Sequence, residues 1–75
     1  MSQLQNKVNL KKLLNSKWTA INPTNKEKHF VVTVVDHDEY GVINACFIES
    51  VTTNRLISMD WEELKNQDIW LHGWL

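Results

Sequence analysis

Between Lys28 and Asp36 the chain runs through Phe30, Val31, Val32, Thr33, Val34 and Val35. This run most constrains the fold. Five consecutive β-branched residues favour an extended backbone. In a strand, successive side chains point to opposite faces, which sets Phe30, Val32 and Val34 against Val31, Thr33 and Val35. Both faces of such a strand are apolar, so both need covering. A second run, Val42 to Val51, has the same character, with Val42, Cys46 and Ile48 opposed to Ile43, Ala45, Phe47 and Val51.

Turn residues place these runs in a meander. Asp36-His37-Asp38-Glu39-Tyr40-Gly41 reads as a hairpin loop, with Gly41 available for a positive φ. Thr52-Thr53-Asn54 reads as the next turn, with Asn54 as its left-handed residue. Arg55 to Met59 is then a fourth strand. Before the valine run, Trp18, Ala20 and Asn22 alternate with Lys17, Thr19 and Ile21 as a first strand that Pro23 should stop, leaving residues 22–26 as a loop. Residues 1–8 carry neither turn chemistry nor period and are expected to be a disordered tail. Residues 9–75 form the one domain.

Two short helices are expected to flank the sheet. Asn9 can cap a helix with Leu10, Leu13 and Leu14 on one face. Asp60, with Glu63 three residues on, can open a second over Trp61 to Asn66, favoured by Glu62 and Glu63 in its first turn. From Asp68 to Leu75 a fifth short strand competes with a helical turn pairing Trp70 and Trp74. The class is α+β, mainly β: a four- to five-stranded antiparallel meander with a short N-terminal helix and a short helix before the C-terminal tail. By topological analogy, this order also suits a small SH3-like barrel.

Two short helices cannot cover both faces of an open sheet. Three arrangements solve the problem: closure into a barrel by residues 69–75, a tail folded across the second face, or pairing with another copy. Composition bears on this choice through tryptophan. At 75 residues with four tryptophans, the domain sits at a size where only about 60% of the unfolded surface is buried. Each buried indole contributes on the order of 4–6 kcal/mol gross. Most of the four are therefore expected in the core, with Trp61 pointing inward, Trp70 or Trp74 sealing the second face, and Trp74 the ring best placed to be exposed for function.

The formal net charge of −1 conceals two halves. Six lysines face one acid between Lys7 and Lys28, a balance of +5; from His29 onward Arg55 and Lys65 face eight acids, a balance of −6. Such polarity suits an oriented encounter, or head-to-tail self-association, though a charged half is often only a solvated face.

Catalytic chemistry finds little support. Gly41 and Gly73 are the only glycines, so no phosphate-cradling loop exists. Cys46 with His29 or His72 as base would be a nucleophile mid-strand, where an inert buried thiol fits better. Asp36, Asp38 and Glu39 lack calcium-loop spacing. The three histidines and one cysteine lie at no zinc-finger spacing. No enzyme activity, cofactor, metal site or small-molecule substrate is expected. The lone cysteine and the short apolar runs point to a soluble, cytoplasmic chain that does not span a membrane.

Non-enzymatic association remains. A protein partner or homodimer is expected from the two-faced sheet and the tryptophan content. RNA or single-stranded nucleic acid is the alternative, because Lys17 beside Trp18 and Lys28 beside His29 and Phe30 bring cations and rings together. The candidate binding surface is Lys11, Lys12, Lys17, Lys26, Lys28, His29 and Trp74.

The run Lys11-Lys12-Leu13-Leu14, the run Ser16-Lys17-Trp18-Thr19-Ala20 and the run Lys28-His29-Phe30 carry a resemblance, continued by Cys46, Glu49, Asp60-Trp61, Glu63-Leu64, Trp70 and Gly73-Trp74. They resemble, over roughly residues 10–74, a family of small tryptophan-rich bacterial proteins of uncharacterised function. The resemblance implies a bacterial origin and one compact domain. It carries no activity and no catalytic residues.

Overall fold

The computed structural model describes residues 5–75. Five antiparallel strands, β1 (Lys17–Thr24), β2 (Glu27–His37), β3 (Ile43–Ser50), β4 (Leu56–Met59) and β5 (Trp70–His72), form one sheet in the order β4-β3-β2-β1-β5. The meander is as expected. The tail supplies the fifth strand, which adds to the free edge of β1 through Trp18↔His72, Thr19↔Leu71 and Ala20↔Trp70. A helical turn there would have left that edge unpaired.

Neither flanking helix forms as an α-helix. Leu10–Lys12 is a single 3-10 turn, although Asn9 caps it as expected by accepting from the Lys11 amide at 3.0 Å. Asn15 at φ 70° turns the chain away, and its amide donates to the Val32 carbonyl instead of continuing a helix. Leu13 is consequently buried, while Leu10 and Leu14 stand exposed. Trp61–Lys65 is likewise 3-10, with Asp60 accepting from the Glu62 amide. Its one buried residue is Leu64. Runs of three to five residues are the usual length of 3-10 structure and lie below what an α-helix needs.

β1 does not stop at Pro23. The pairing of β1 with β2 shifts register between Thr19 and Thr24, and Pro23, which has no N–H to donate, lies in that irregularity. The expected loop of residues 22–26 contracts to a two-residue turn, Asn25 and Lys26, both left-handed at φ 53° and 61°. Two positive φ values are what a tight type I′ hairpin requires. Gly41 (φ 84°) and Asn54 (φ 59°) take the expected left-handed places in the other two hairpins.

A bulge divides the valine run. Val32 pairs with Ile48, but Val34 pairs with Phe47 and Val35 with Cys46, so the alternation slips by one residue. Phe30, Val32 and Val35 face the core, whereas Val31 and Val34 share the opposite face with Phe47. Simple alternation had put Val34 with Val32. The core itself contains Leu13, Trp18, Phe30, Val32, Cys46, Ile48, Leu64 and Trp70. Trp18, only 1% exposed, stacks on His72 at 4.5 Å, and Phe30 meets Trp70 edge to face at 5.3 Å. Trp61 is half-buried and packs against this core from one side, with the Lys65 ammonium over its ring, so it is not a fully internal anchor. Of the segment expected as a tail, residues 1–4 lie outside the described residues, while Gln5 to Val8 are docked. Asn6 donates from its side chain to the Leu64 and Trp70 carbonyls, and Val8 packs on the core. Among the described residues, no helix is long and apolar enough to cross a membrane.

Candidate functional site

The C-terminal tail leaves β5 and folds across the face opposite the core. Thr19 Oγ1 donates to the Gly73 carbonyl at 2.6 Å and accepts from the Leu75 amide at 3.1 Å. Trp74 Nε1 donates to the Phe30 carbonyl at 2.9 Å, and His29 Nε2 lies 2.8 Å from the Leu75 carbonyl. Tail docking is thus one of the three arrangements open to the sequence, and it buries Thr19. Closure of the sheet as a hydrogen-bonded barrel is not observed: β4 and β5 each pair on one side only.

This tail gathers three of the seven candidate binding residues. The Lys17 ammonium sits 4.8 Å from the Trp74 ring centroid, and the His29 ring lies 6.0 Å from it. Trp74 remains 43% exposed, so the cluster is a ring presented to solvent between a cation and an imidazole. Lys28 precedes His29 on β2 and is exposed. Lys11 and Lys12 stand on the 3-10 turn before β1. Lys26 sits in the tight turn at the far end of the β1–β2 hairpin, roughly 23 Å along the strand from Lys17. The lysines do not form one continuous patch.

Beyond the tail, the same face is uncovered. Val34 is 42% exposed and Leu56 55% exposed, with Val31 and Phe47 half-buried between them. Register places one residue from each of β1 to β4, and Gly73 just after β5, in a single row across this face. Gly73 donates its amide to the Lys17 carbonyl, Lys17 pairs with Val31, Val31 with Glu49, and Glu49 with Leu56. The row therefore reads Gly73, Lys17, Val31, Glu49, Leu56. Neither Lys17 nor Glu49 forms a salt bridge among the described residues.

On the core side, an open cleft of about 350 Å³ is lined by residues from both sheet edges, including Ile57, Met59, Ala20 and Trp70. The sheet curls around it. Glu27 in its wall is 2% exposed and held by a forked ion pair, Arg55 Nη2 to Oε1 at 2.6 Å and Nε to Oε2 at 3.2 Å, with the Thr53 hydroxyl donating to Oε2. The Arg55 and Thr53 hydrogen bonds bring its pKa down from 4.5 to about 2. The Trp70 Nε1 is buried without a partner. Sequence inspection had no means of finding this pair, because Glu27 and Arg55 are 28 residues apart and belong to different hairpins.

Cys46 is buried, and burial followed by the Asp60 carboxylate pushes its thiol pKa up. A thiol held protonated is a poor nucleophile. Among the described residues, no group of three or more His, Cys, Asp or Glu side chains is placed to hold a metal ion.

Comparison with curated proteins finds no match, and comparison with solved structures finds none either. Comparison with protein families matches residues 16–75, the stretch that holds all five strands and all four tryptophans, to the family described as tryptophan-rich protein (DUF2389). The chain belongs to this tryptophan-rich family.

Proposed function

We propose that the chain is a non-enzymatic association module that docks on protein through the uncovered face of its sheet. The observation that carries this reading is the strip of Val31, Val34, Phe47 and Leu56, which the tail leaves open to solvent. A small domain gains stability by covering apolar side chains, and a contiguous exposed strip on a sheet marks an interaction surface. The buried, protonated thiol of Cys46 supports a role without nucleophilic chemistry and suits the reducing cytoplasm. The strand order, the 3-10 turn before β5 and the curl around the core-side cleft support an SH3-like barrel as the architectural analogue.

The test is site-specific photocrosslinking in cells, with the photoreactive residue replacing Leu56 on the strip or Tyr40 in the exposed β2–β3 loop. Protein adducts from position 56 in excess of those from position 40 support the reading. Equal yields, or none from either position, overturn it.

A second reading rests on a separate observation, the exposed Trp74 ring with Lys17 and His29 beside it. An exposed ring with a cation beside it is the element that single-stranded RNA or DNA binders use for stacking and phosphate contact. Quenching of tryptophan emission by a short oligonucleotide, weakened by Lys17→Gln and by added salt, would favour this reading. Emission unchanged by the oligonucleotide would remove it.

A further inference from the structure

The row across the face opposite the core is self-complementary in charge. From one sheet edge to the other it runs Gly73, Lys17, Val31, Glu49, Leu56: no side chain, a cation, a central apolar residue, an anion, a large apolar side chain. Neighbouring strands lie about 4.8 Å apart, so Lys17 and Glu49 stand at equal distances, on opposite sides of Val31. A two-fold axis lying along β2 and passing over Val31 exchanges the two flanks. It sets Lys17 of each copy against Glu49 of the other, Val31 against Val31, and Leu56 against Gly73. Apart from its chain neighbours, a Cβ at Gly73 would meet nothing within 4 Å, so the glycine leaves room beside the Trp74 ring, which lies on the same flank against Lys17.

We propose that the occupant of this face is a second copy of the chain, packed sheet to sheet as a two-fold dimer with reciprocal Lys17–Glu49 pairs. This rests on the reading of the face as a protein-docking surface and names its partner. Face-to-face sheets pack about 10 Å apart with strands aligned within about 30°, the arrangement that an axis along β2 produces. Isologous contact requires that each residue meet its complement under one rotation. The row satisfies this for its charges, which pair, and for the apolar residue on the axis, which faces itself, while Leu56 faces the flank that holds Gly73 and the Trp74 ring. The same rotation carries the tail of each copy toward the partner's β3–β4 turn. Val51, whose amide donates to the His29 carbonyl in the row that also holds Thr19, is exposed there.

An alternative symmetry is disfavoured by the same row. A two-fold axis running across the strands would set Lys17 against Lys17 and Glu49 against Glu49, and like charges brought together in an interface are repulsive. A heterologous partner would need no palindromic order, and the order is then unexplained.

Charge reversal tests the pairing independently of folding. Wild-type protein, K17E and E49K are each examined by sedimentation equilibrium at low ionic strength, and the two variants are then mixed in equal amounts. Each variant alone brings two like-charge pairs into the dimer, while the mixed dimer restores two opposite-charge pairs. The expected result is a wild-type dimer, a dissociation constant raised at least about tenfold in each variant alone, and recovery of the dimer on mixing. K17E also removes the cation over Trp74, so recovery on mixing distinguishes lost pairing from a loosened tail. A wild-type monomer, a dimer indifferent to both reversals, or a mixture that stays monomeric overturns the proposal. Position 56 distinguishes failure of this inference from failure of the wider reading. Crosslinks from it to a different protein would leave protein docking standing and remove the second copy.

Discussion

Thr19 and Gly73, 54 residues apart, are joined by a 2.6 Å hydrogen bond from a buried threonine hydroxyl to a glycine carbonyl. The same hydroxyl accepts the Leu75 amide, so one oxygen on β1 fixes both ends of the docked tail. Thr19→Val keeps the shape of the side chain and removes both bonds. It is expected to cost about 1–3 kcal/mol, corresponding to about 4–8 °C in Tm per kcal/mol for a domain of this size. Thermal unfolding measures the loss. A red shift in tryptophan emission should accompany it, as Trp74 leaves the sheet.

The Glu27–Arg55 pair predicts a pH dependence. Glu27 titrates at about 2 in the folded protein instead of 4.5, so the unfolded chain binds its proton more tightly. Its contribution to stability is therefore fully present above about pH 4.5 and is lost as the pH falls toward about 2. Urea unfolding followed from pH 6 to pH 2 should show stability declining across that window in the wild type. The decline should be shallower in Glu27→Gln. Arg55→Gln should also be less stable at pH 6, because it leaves a buried carboxylate without its cation.

Three of the four tryptophans should separate by position. Trp18→Ala removes a ring 1% exposed and is expected to cost about 3–5 kcal/mol, which a domain this small survives poorly. Trp74→Ala gives up one hydrogen bond and a partly exposed ring, and is expected to cost no more than about 1.5 kcal/mol. Trp61→Ala should fall between them, since that ring packs against the core from one side only. Chemical denaturation of the three variants gives the order. Trp74→Ala melting as early as Trp18→Ala would show that the docked tail is part of the folding core.

Cys46 provides a reporter of global opening. Its burial and protonated state predict that an aromatic disulfide reagent reacts with the native protein only at the rate at which the sheet opens. Adding denaturant to the midpoint of unfolding should bring the rate close to that of a free thiol. Fast labelling under native conditions would contradict the burial.

The legibility of each feature in the sequence tracks the range of the interaction that sets it. Local chemistry was legible: the β-branched run Val31 to Val35 is β2, Gly41 and Asn54 take left-handed turns, and Asn9 and Asp60 cap the turns they precede. The type of helix after each cap was not legible, because whether a turn continues as α-helix depends on where Asn15 and Asn66 are drawn by the sheet. Pro23 was misleading for a related reason. It disrupts a strand only where its amide is needed, and the register shift between Thr19 and Thr24 removes that need. The bulge that moves Val34 to the outer face has no local signal among five β-branched neighbours, since it is set by pairing with β3. Of the candidate surface, Trp74 could be singled out from its place beside Gly73. Its grouping with Lys17 and His29 arises only once the tail crosses β1, through a threonine that composition does not distinguish from any other.

The order β4-β3-β2-β1-β5 has a last consequence, for aggregation. The valine-rich run and its apolar partner β3 occupy the interior of the sheet: β2 is bonded on both sides as far as Val32, and from Val34 to His37 it pairs with β3. The two terminal strands of the sheet are β4 with four residues and β5 with three. Short edges are poor templates for strand addition, whereas a segment of about six residues with high β-propensity, such as Phe30 to Val35, is a strong one when released from a sheet. Destabilising substitutions should therefore show first as insoluble, thioflavin-positive material under growth conditions, before any soluble unfolded population accumulates.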